Sequence, residues 1–236
     1  MKLSIVIPAL NEAANIALAV RSARETNPAE VIVVDGGSAD RTAELARAAG
    51  AAVVESPPGR ARQQNVGAQR AAGDVLLFLH ADCRLAPDAL RQVAEALADP
   101  QVECGAFRQR IEAEGLLFRW LERGNAWRVR RRGLAYGDQG IFVRRSVFES
   151  LGGFPEVQLM EDVLLLRALR RRSWPALLPG PLHVSARRWR RHGVIRQTAR
   201  NWLLLSAFQL GMHPDRLANY YSPHYGPAHP SATATS

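Results

Sequence analysis

Residues 74–85 read DVLLFLHADCRL. Val75–Leu79 is an unbroken apolar run of strand length, and the chain turns polar straight after it, at His80 and Asp82. A strand that is apolar at every position has both faces buried, which is the habit of parallel sheets covered by helices on two sides. A carboxylate at the end of such a strand stands where open α/β sheets bind their ligands.

The same pattern extends upstream. LSIVIPAL (3–10), VIVVDGG (31–37) and AAVVES (51–56) are three more apolar runs that end in polar or turn residues. Between them, NEAANIALAVRSARE (11–25) places Ile16, Val20 and Ala23 at helical spacing, and ADRTAELARAAG (39–50) predicts a helix capped by Asp40 and stopped at Gly50. GRARQQNVGAQRAAG (59–73) is a helical return to the strand at 75. Strand–helix alternation with continuously apolar strands predicts an α/β fold built on a mostly parallel central sheet, with helices on both faces.

Downstream the pattern is less regular. APDALRQVAEALAD (86–99) predicts a helix, and VECGAFRQRI (102–111) alternates like a strand with one face turned outward. EGLLFRWLERGNAWRVRRR (114–132) predicts an amphipathic helix. YGDQGIFVRRSVFESLGGF (136–154) predicts a strand, a short helix and a glycine turn, and MEDVLLLRALRRR (160–172) a further helix. GVIRQTARNWLLLSAFQLGM (193–212) is a long, largely apolar helix, either packed on the domain or lying in a membrane interface beside Arg196 and Arg200. GPAHPSATATS (226–236) reads as a disordered tail.

The 236 residues, 47% of them hydrophobic, suit one α/β domain with a sizeable core over 1–225. No signal-peptide pattern opens the chain, and no apolar run reaches the roughly 18–20 residues of a spanning helix. Cys83 and Cys104 have no metal or disulfide spacing and read as reduced packing thiols of a cytoplasmic protein. Of the 31 basic residues only Lys2 is lysine. Residues 1–100 carry 10 basic and 12 acidic residues, net −2, and residues 101–236 carry 21 and 10, net +11. The second half therefore faces an anionic partner if its charge has a function: a diphosphate, lipid headgroups or nucleic acid.

The four strand ends deliver Pro8, Asn11 and Glu12; Asp35, Gly36 and Gly37; Pro57, Pro58, Gly59 and Arg60; and His80 with Asp82. Carboxylates gathered on one sheet edge repel one another, and a cation or a polar ligand relieves the cost. A Gly-x-Gly-x-x-Gly turn, a Walker phosphate loop and a nucleophile elbow are all missing, which counts against dinucleotide, NTPase and serine-hydrolase chemistry.

IVIPALNE (5–12), VVDGGSADRT (33–42), GRARQQNVG (59–67), LHAD (79–82) and GGFPEVQLMED (152–162) together resemble an inverting family 2 glycosyltransferase with the GT-A fold. The LMED form and SARRWRRHG (185–193) resemble a small stand-alone bacterial subgroup. The resemblance implies a hexosyltransferase-like enzyme with a nucleotide-binding half (1–100) and an acceptor-binding half (101–225). Its partners would be a UDP- or GDP-sugar and an acceptor hydroxyl, lipid-linked or not. It implies that Asp35 accepts a hydrogen bond from the nucleobase and that Pro8, Asn11 and Glu12 line base and ribose. Asp82 would bind Mn²⁺ or Mg²⁺ bridging the two phosphates. His80 replaces the first Asp of the family's Asp-x-Asp motif and would contact the donor or weakly ligate the metal. Arg60, Gln63 and Asn65 fall where the family binds the donor, although Gln64 occupies its usual arginine position. Arg187 and Arg188 would close over the diphosphate as a mobile loop. Asp138 would touch acceptor or sugar, or form a turn. Asp162 would be the general base, held as an anion at a helix N-terminus, with Glu161 the second choice.

The expected location is cytoplasmic, with a peripheral contact at the inner face of the membrane. Two rival readings remain: a sugar nucleotidyltransferase, disfavoured because LNEAANI lacks a glycine- and arginine-rich loop, and a non-catalytic membrane-surface or nucleic-acid binder. Trp120, Trp127, Trp174 and Trp189 near arginines suit nucleic-acid binding, but such a protein has no need of Asp35, Asp82 and Asp162, so nucleic acid is not an expected partner.

Overall fold

A computed structural model describes residues 1–220, apart from the side chains of Arg188, Arg191 and His192; the tail expected at 226–236 lies outside the described residues. The strands are β1 (Leu3–Ala9), β2 (Glu30–Asp35), β3 (Ala52–Glu55), β4 (Val75–Phe78), β5 (Cys83–Arg84), β6 (Cys104–Ile111), β7 (Ile141–Arg144) and β8 (Ala176–Val184). The helices are α1 (Ile16–Glu25), α2 (Thr42–Ala48), α3 (Arg60–Arg70), α4 (Ala89–Leu97), α5 (Leu116–Arg132), α6 (Arg145–Ser150), α7 (Glu161–Leu169), α8 (Arg187–His192), α9 (Val194–Gln209) and α10 (Pro214–Ala218), with a 3-10 turn at Gly137–Gln139.

All eight strands join one sheet in the order β3-β2-β1-β4-β7-β6-β8-β5. The first four in that order run parallel, β7 is antiparallel to both β4 and β6, and β8 runs parallel to β6. The apolar strands divide their side chains between two helical layers, as the period of 2 requires. Val75, Leu77 and Leu79 join Ile5, Ile7, Val31 and Val33 in the core under α1, α2 and α4. Leu76 and Phe78 join Val6, Ile32 and Val34 in the core under α3, α6 and α7, where Phe78, Phe148 and Phe154 form an aromatic cluster with ring centroids 4.8–5.5 Å apart. Helix α3 rests so close to β1 and β2 that a Cβ at Gly67 would come within 2.3 Å of Val6 Cγ1 and 3.0 Å of Val34 Cγ2.

The sequence expectation had no counterpart for β5, β8 or α10, and it placed two further features differently. Strand β8 runs through PALLPGPLHV, whose prolines argue against a central strand. It is accommodated because its pairing with β6 shifts register between Phe107 and Gln109. There Gln92 takes the place of the lost ladder bonds, donating to Gly180 O (2.9 Å) and accepting from Gly180 N (2.8 Å). Arg187 and Arg188, expected in a mobile loop, instead open α8. Asp40 is not the N-cap of α2 but lies one residue earlier, accepting from Thr42 N at 3.0 Å and Ala13 N at 3.1 Å.

Candidate active site

The carboxyl ends of the parallel strands form one edge, and two groups of candidate residues gather there. The first surrounds the loops after β1 and β2. Asn11, in a left-handed conformation (φ 54°), donates its N–H to Ser38 Oγ (2.9 Å) and accepts from Ala39 N (2.9 Å). Glu12 N–H donates to Thr42 Oγ1 at 2.8 Å. Asp35 is 5% exposed, and its carboxylate accepts from Gly37 N (3.2 Å), Ser38 N (2.9 Å) and the Ser38 hydroxyl. These bonds zip the two loops into one rim, with Pro8 buried in β1 beneath it.

Arg187, at the start of α8, reaches across to this rim and donates to Glu12 Oε1 at 2.8 Å. Burial lowers the affinity of its guanidinium for the proton, but Glu12 and Asp82 outweigh burial and leave its pKa raised. Asp82 follows β4 in a turn closed by Cys83 N donating to His80 O (3.0 Å), and its carbonyl accepts from Ser185 N (3.1 Å). Glu12, Asp82 and Arg187 are thus one electrostatic group. The Arg188 side chain lies outside the described residues.

The second group lines a pocket: Arg60, His80, Tyr136, Gly137, Asp138 and Asp162, walled on one side by Asn201, Leu204 and Leu205 of α9. Asp162 is 8% exposed and sits in the first turn of α7, entered through a left-handed Met160 (φ 67°). Its Oδ1 accepts from Val163 N (2.7 Å) and its Oδ2 from Gly137 N (2.7 Å). A Cβ at Gly137 would come within 2.5 Å of His80 Nε2, so any larger residue here would have to displace the imidazole, with Asp162 Oδ2 3.4 Å away. The tight spot that holds Gly137 therefore brings His80 and Asp162 together across the sheet.

The other predicted residues are occupied elsewhere. Arg60 pairs with both carboxylate oxygens of Glu161, which is 1% exposed. Burial raises the Glu161 pKa, Arg60 opposes it and Asp162 adds to it. Committed to Arg60, Glu161 is poorly placed to take a substrate proton. Gln63 is fully buried and donates to Ala9 O and Val34 O (both 2.8 Å), tying α3 to the ends of β1 and β2. Asn65 donates to Phe154 O (2.8 Å) and accepts from Phe154 N (2.9 Å), holding the turn before α7. Gln63 and Asn65 thus frame the edge and spend their amides on backbone.

Sequence reasoning missed the support of the Tyr136–Gln139 loop. Arg128 of α5 lies 3.5 Å over the Tyr136 ring and donates to Leu134 O (3.0 Å), Asn125 Oδ1 (2.8 Å) and Gln139 Oε1 (2.8 Å). Gln139 Oε1 also accepts from Tyr136 N (3.1 Å), and Gln109 Nε2 donates to Asp138 O (3.0 Å). Burial lowers the Arg128 pKa and raises that of Tyr136. The only sequence signal was YGDQG itself; the arginine sits in a basic run that reads as surface.

Among the described residues there is no group of three or more His, Cys, Asp or Glu side chains placed to hold a metal ion. Asp82 offers one partly exposed carboxylate. That donor set suits a hard cation only when phosphate oxygens and water complete its shell, as Mg²⁺ sites commonly do.

This sheet has the GT-A fold. The S. aureus TarS structure with UDP matches with a TM-score of 0.63 at 18% identity, over 78% of this chain and 60% of that one. A Pyrobaculum calidifontis mannosyltransferase in complex with GDP-Man and Mn²⁺ matches with a TM-score of 0.57 at 21% identity, over 78% of this chain and 56% of that one. An undecaprenyl-phosphate 4-deoxy-4-formamido-L-arabinose transferase of Pseudomonas paraeruginosa is 32% identical over 165 residues, 63% of this chain and 48% of its own length. The chain thus spans about half the length of that curated relative. Residues 4–152 match glycosyl transferase family 2, and the chain belongs to that family, a glycosyltransferase with the GT-A fold.

Proposed function

We propose that the chain transfers a sugar from a UDP- or GDP-sugar to an acceptor hydroxyl with inversion at the anomeric carbon. The observation that carries this is the pocket at the sheet edge, where Asp162 is fixed by Gly137 N–H and the α7 terminus beside His80. The nucleoside lies along the Pro8–Glu12 and Asp35 rim, with Asp35 accepting from the base. The diphosphate lies between Arg187, Arg188 and Asp82, where a fork of guanidinium donors suits phosphate oxygens. His80 contacts the donor sugar or phosphate. Asp82 would hold Mn²⁺ or Mg²⁺ together with the diphosphate; bound there, the ion stabilises the charge of the leaving group. Gln63 and Asn65 keep the donor side in shape through their bonds to backbone, while Arg60, which lines the pocket, stands beside the donor sugar or diphosphate.

Asp162 takes the acceptor proton as the hydroxyl attacks opposite the departing diphosphate. Asp138 faces the acceptor. The acceptor is read as lipid-linked, because Leu159, Val163, Leu204 and Leu205 make one side of the pocket apolar while the chain around it is basic. A lipid-linked acceptor would be met at the inner face of the membrane, with the protein a peripheral component there. No helix among the described residues is long and apolar enough to cross a membrane.

Thermal melting with UDP- and GDP-sugars, each with Mn²⁺, Mg²⁺ or EDTA, tests the donor side. One nucleotide class raises the Tm in a metal-dependent way, and Asp82→Ala abolishes the response. Stabilisation that is indifferent to EDTA and to Asp82→Ala would remove the metal from the account.

A further inference from the structure

Helix α9 has two unlike faces. Gln197, Leu204 and Phe208 are buried, the last two in a small core with Leu159 and Val163 of the pocket wall and Leu217 of α10. On the other side Ile195, Trp202, Leu203 and the capping Leu210 are 74%, 72%, 71% and 89% exposed. At 100° per residue these four, with exposed Ala199 and Ser206 between them, fall within an arc of about 100°, one continuous stripe. Exposed Arg196 borders the stripe on one flank; Asn201 and Leu205, which line the pocket, border it on the other.

The charge of this stretch of the chain is one-sided. Between Asp162 and Asp215 the sequence contains ten arginines and no acidic residue. A basic helix of 16 residues with a large indole on its apolar side is too short to span a bilayer and has the make-up of one that lies along its surface. A protein partner could cover an apolar stripe equally well, but a stripe bordered by exposed Arg196, on a helix that carries Arg200 and no acidic residue, is complementary to anionic headgroups.

We propose that the Ile195–Leu210 stripe of α9 docks on an anionic lipid surface and sets the mouth of the acceptor pocket against the headgroups. The docking surface rests on the glycosyltransferase reading for its purpose, but its existence is measured separately. Because the same helix supplies pocket wall and docking face, a lipid-borne acceptor enters beside Asn201 and Leu205 without leaving the membrane. Its hydroxyl reaches Asp162 while its tail stays in the bilayer.

The test is cosedimentation of the full chain with phosphatidylcholine vesicles, with and without phosphatidylglycerol, at low and high salt. Solution mass and nucleotide-sugar binding are measured on the same samples. The wild type binds only the anionic vesicles, and salt releases it. Trp202→Glu with Leu203→Glu abolishes vesicle binding, and Arg196→Gln weakens it roughly fivefold. Neither variant changes Tm or the affinity for UDP-glucose or GDP-mannose, since these side chains are exposed and outside the pocket. No sedimentation of the wild type at low salt overturns the proposal. So does vesicle binding that survives the double substitution, or a dimer that the double substitution turns into a monomer. Loss of all nucleotide-sugar binding with vesicle binding intact would instead sink the enzyme reading and leave the docking surface standing.

Discussion

Glu161 and Asp162 are neighbours with opposite assignments, and the difference is where their oxygens go. Glu161 spends both on Arg60 in a fully buried setting, whereas Asp162 holds one backbone N–H on each oxygen and faces the pocket. Glu161→Ala would strand a largely buried guanidinium. We expect it to cost about 3 kcal/mol, at the low end for a broken buried pair because Arg60 keeps 22% of its side chain exposed; urea unfolding measures this. Gly137→Ala forces a methyl group into His80 and toward Asp162. It should lower turnover far more than Tm, and equal losses in both would show that Gly137 matters only for packing. The thiols behave differently. Cys83 and Cys104 are buried and not joined in a disulfide, and burial pushes the Cys104 thiol up to about 12. With so little thiolate at pH 8, Cys104 should not react with a thiol reagent until the protein is unfolded; rapid labelling of the native chain would contradict its placement.

Among the elements, α3 is the most sharply constrained. Gly67→Ala should cost about 1–3 kcal/mol through overpacking against Val6 and Val34, read as a lowered denaturation midpoint. The strands around it were legible in the sequence because their apolar runs carry their own signal, with Val75–Leu79 feeding both cores. Strand β8 was not, since Pro179 and Pro181 are tolerated only through a register shift and a clamp from Gln92, 88 residues away in the chain. Helix α8 was hidden by its own arginines, which give no apolar period. The site divides in the same manner. Asp35, Asp82 and Asp162 were readable because each follows or opens a recognisable element. Arg128 was not, because its role depends on a loop brought to α5 by tertiary packing. Arg128→Met should lower turnover about 10–100-fold by misplacing the Tyr136–Gln139 loop, with donor affinity unchanged. A loss of donor affinity instead would place Arg128 on the donor side.

At the scale of the molecule, the sheet divides the work. The acidic first half builds the rim proposed to hold the donor, and the basic second half supplies Arg187, the pocket wall and the helix proposed to dock on lipid. β7 pairs with β4, so the strand that delivers His80 and Asp82 lies beside the one that follows Asp138. The two halves thus meet, among other places, at the pocket, where Asp162 is the proposed base. The most direct measurement is turnover of the preferred nucleotide-sugar, with water or acceptor as nucleophile, by wild type and Asp162→Asn at matched donor saturation. A general base at this position predicts a loss of about 10²–10⁴-fold, with donor affinity and Tm nearly unchanged. Turnover within a few fold of wild type would contradict that assignment and require another group in the pocket to take the proton.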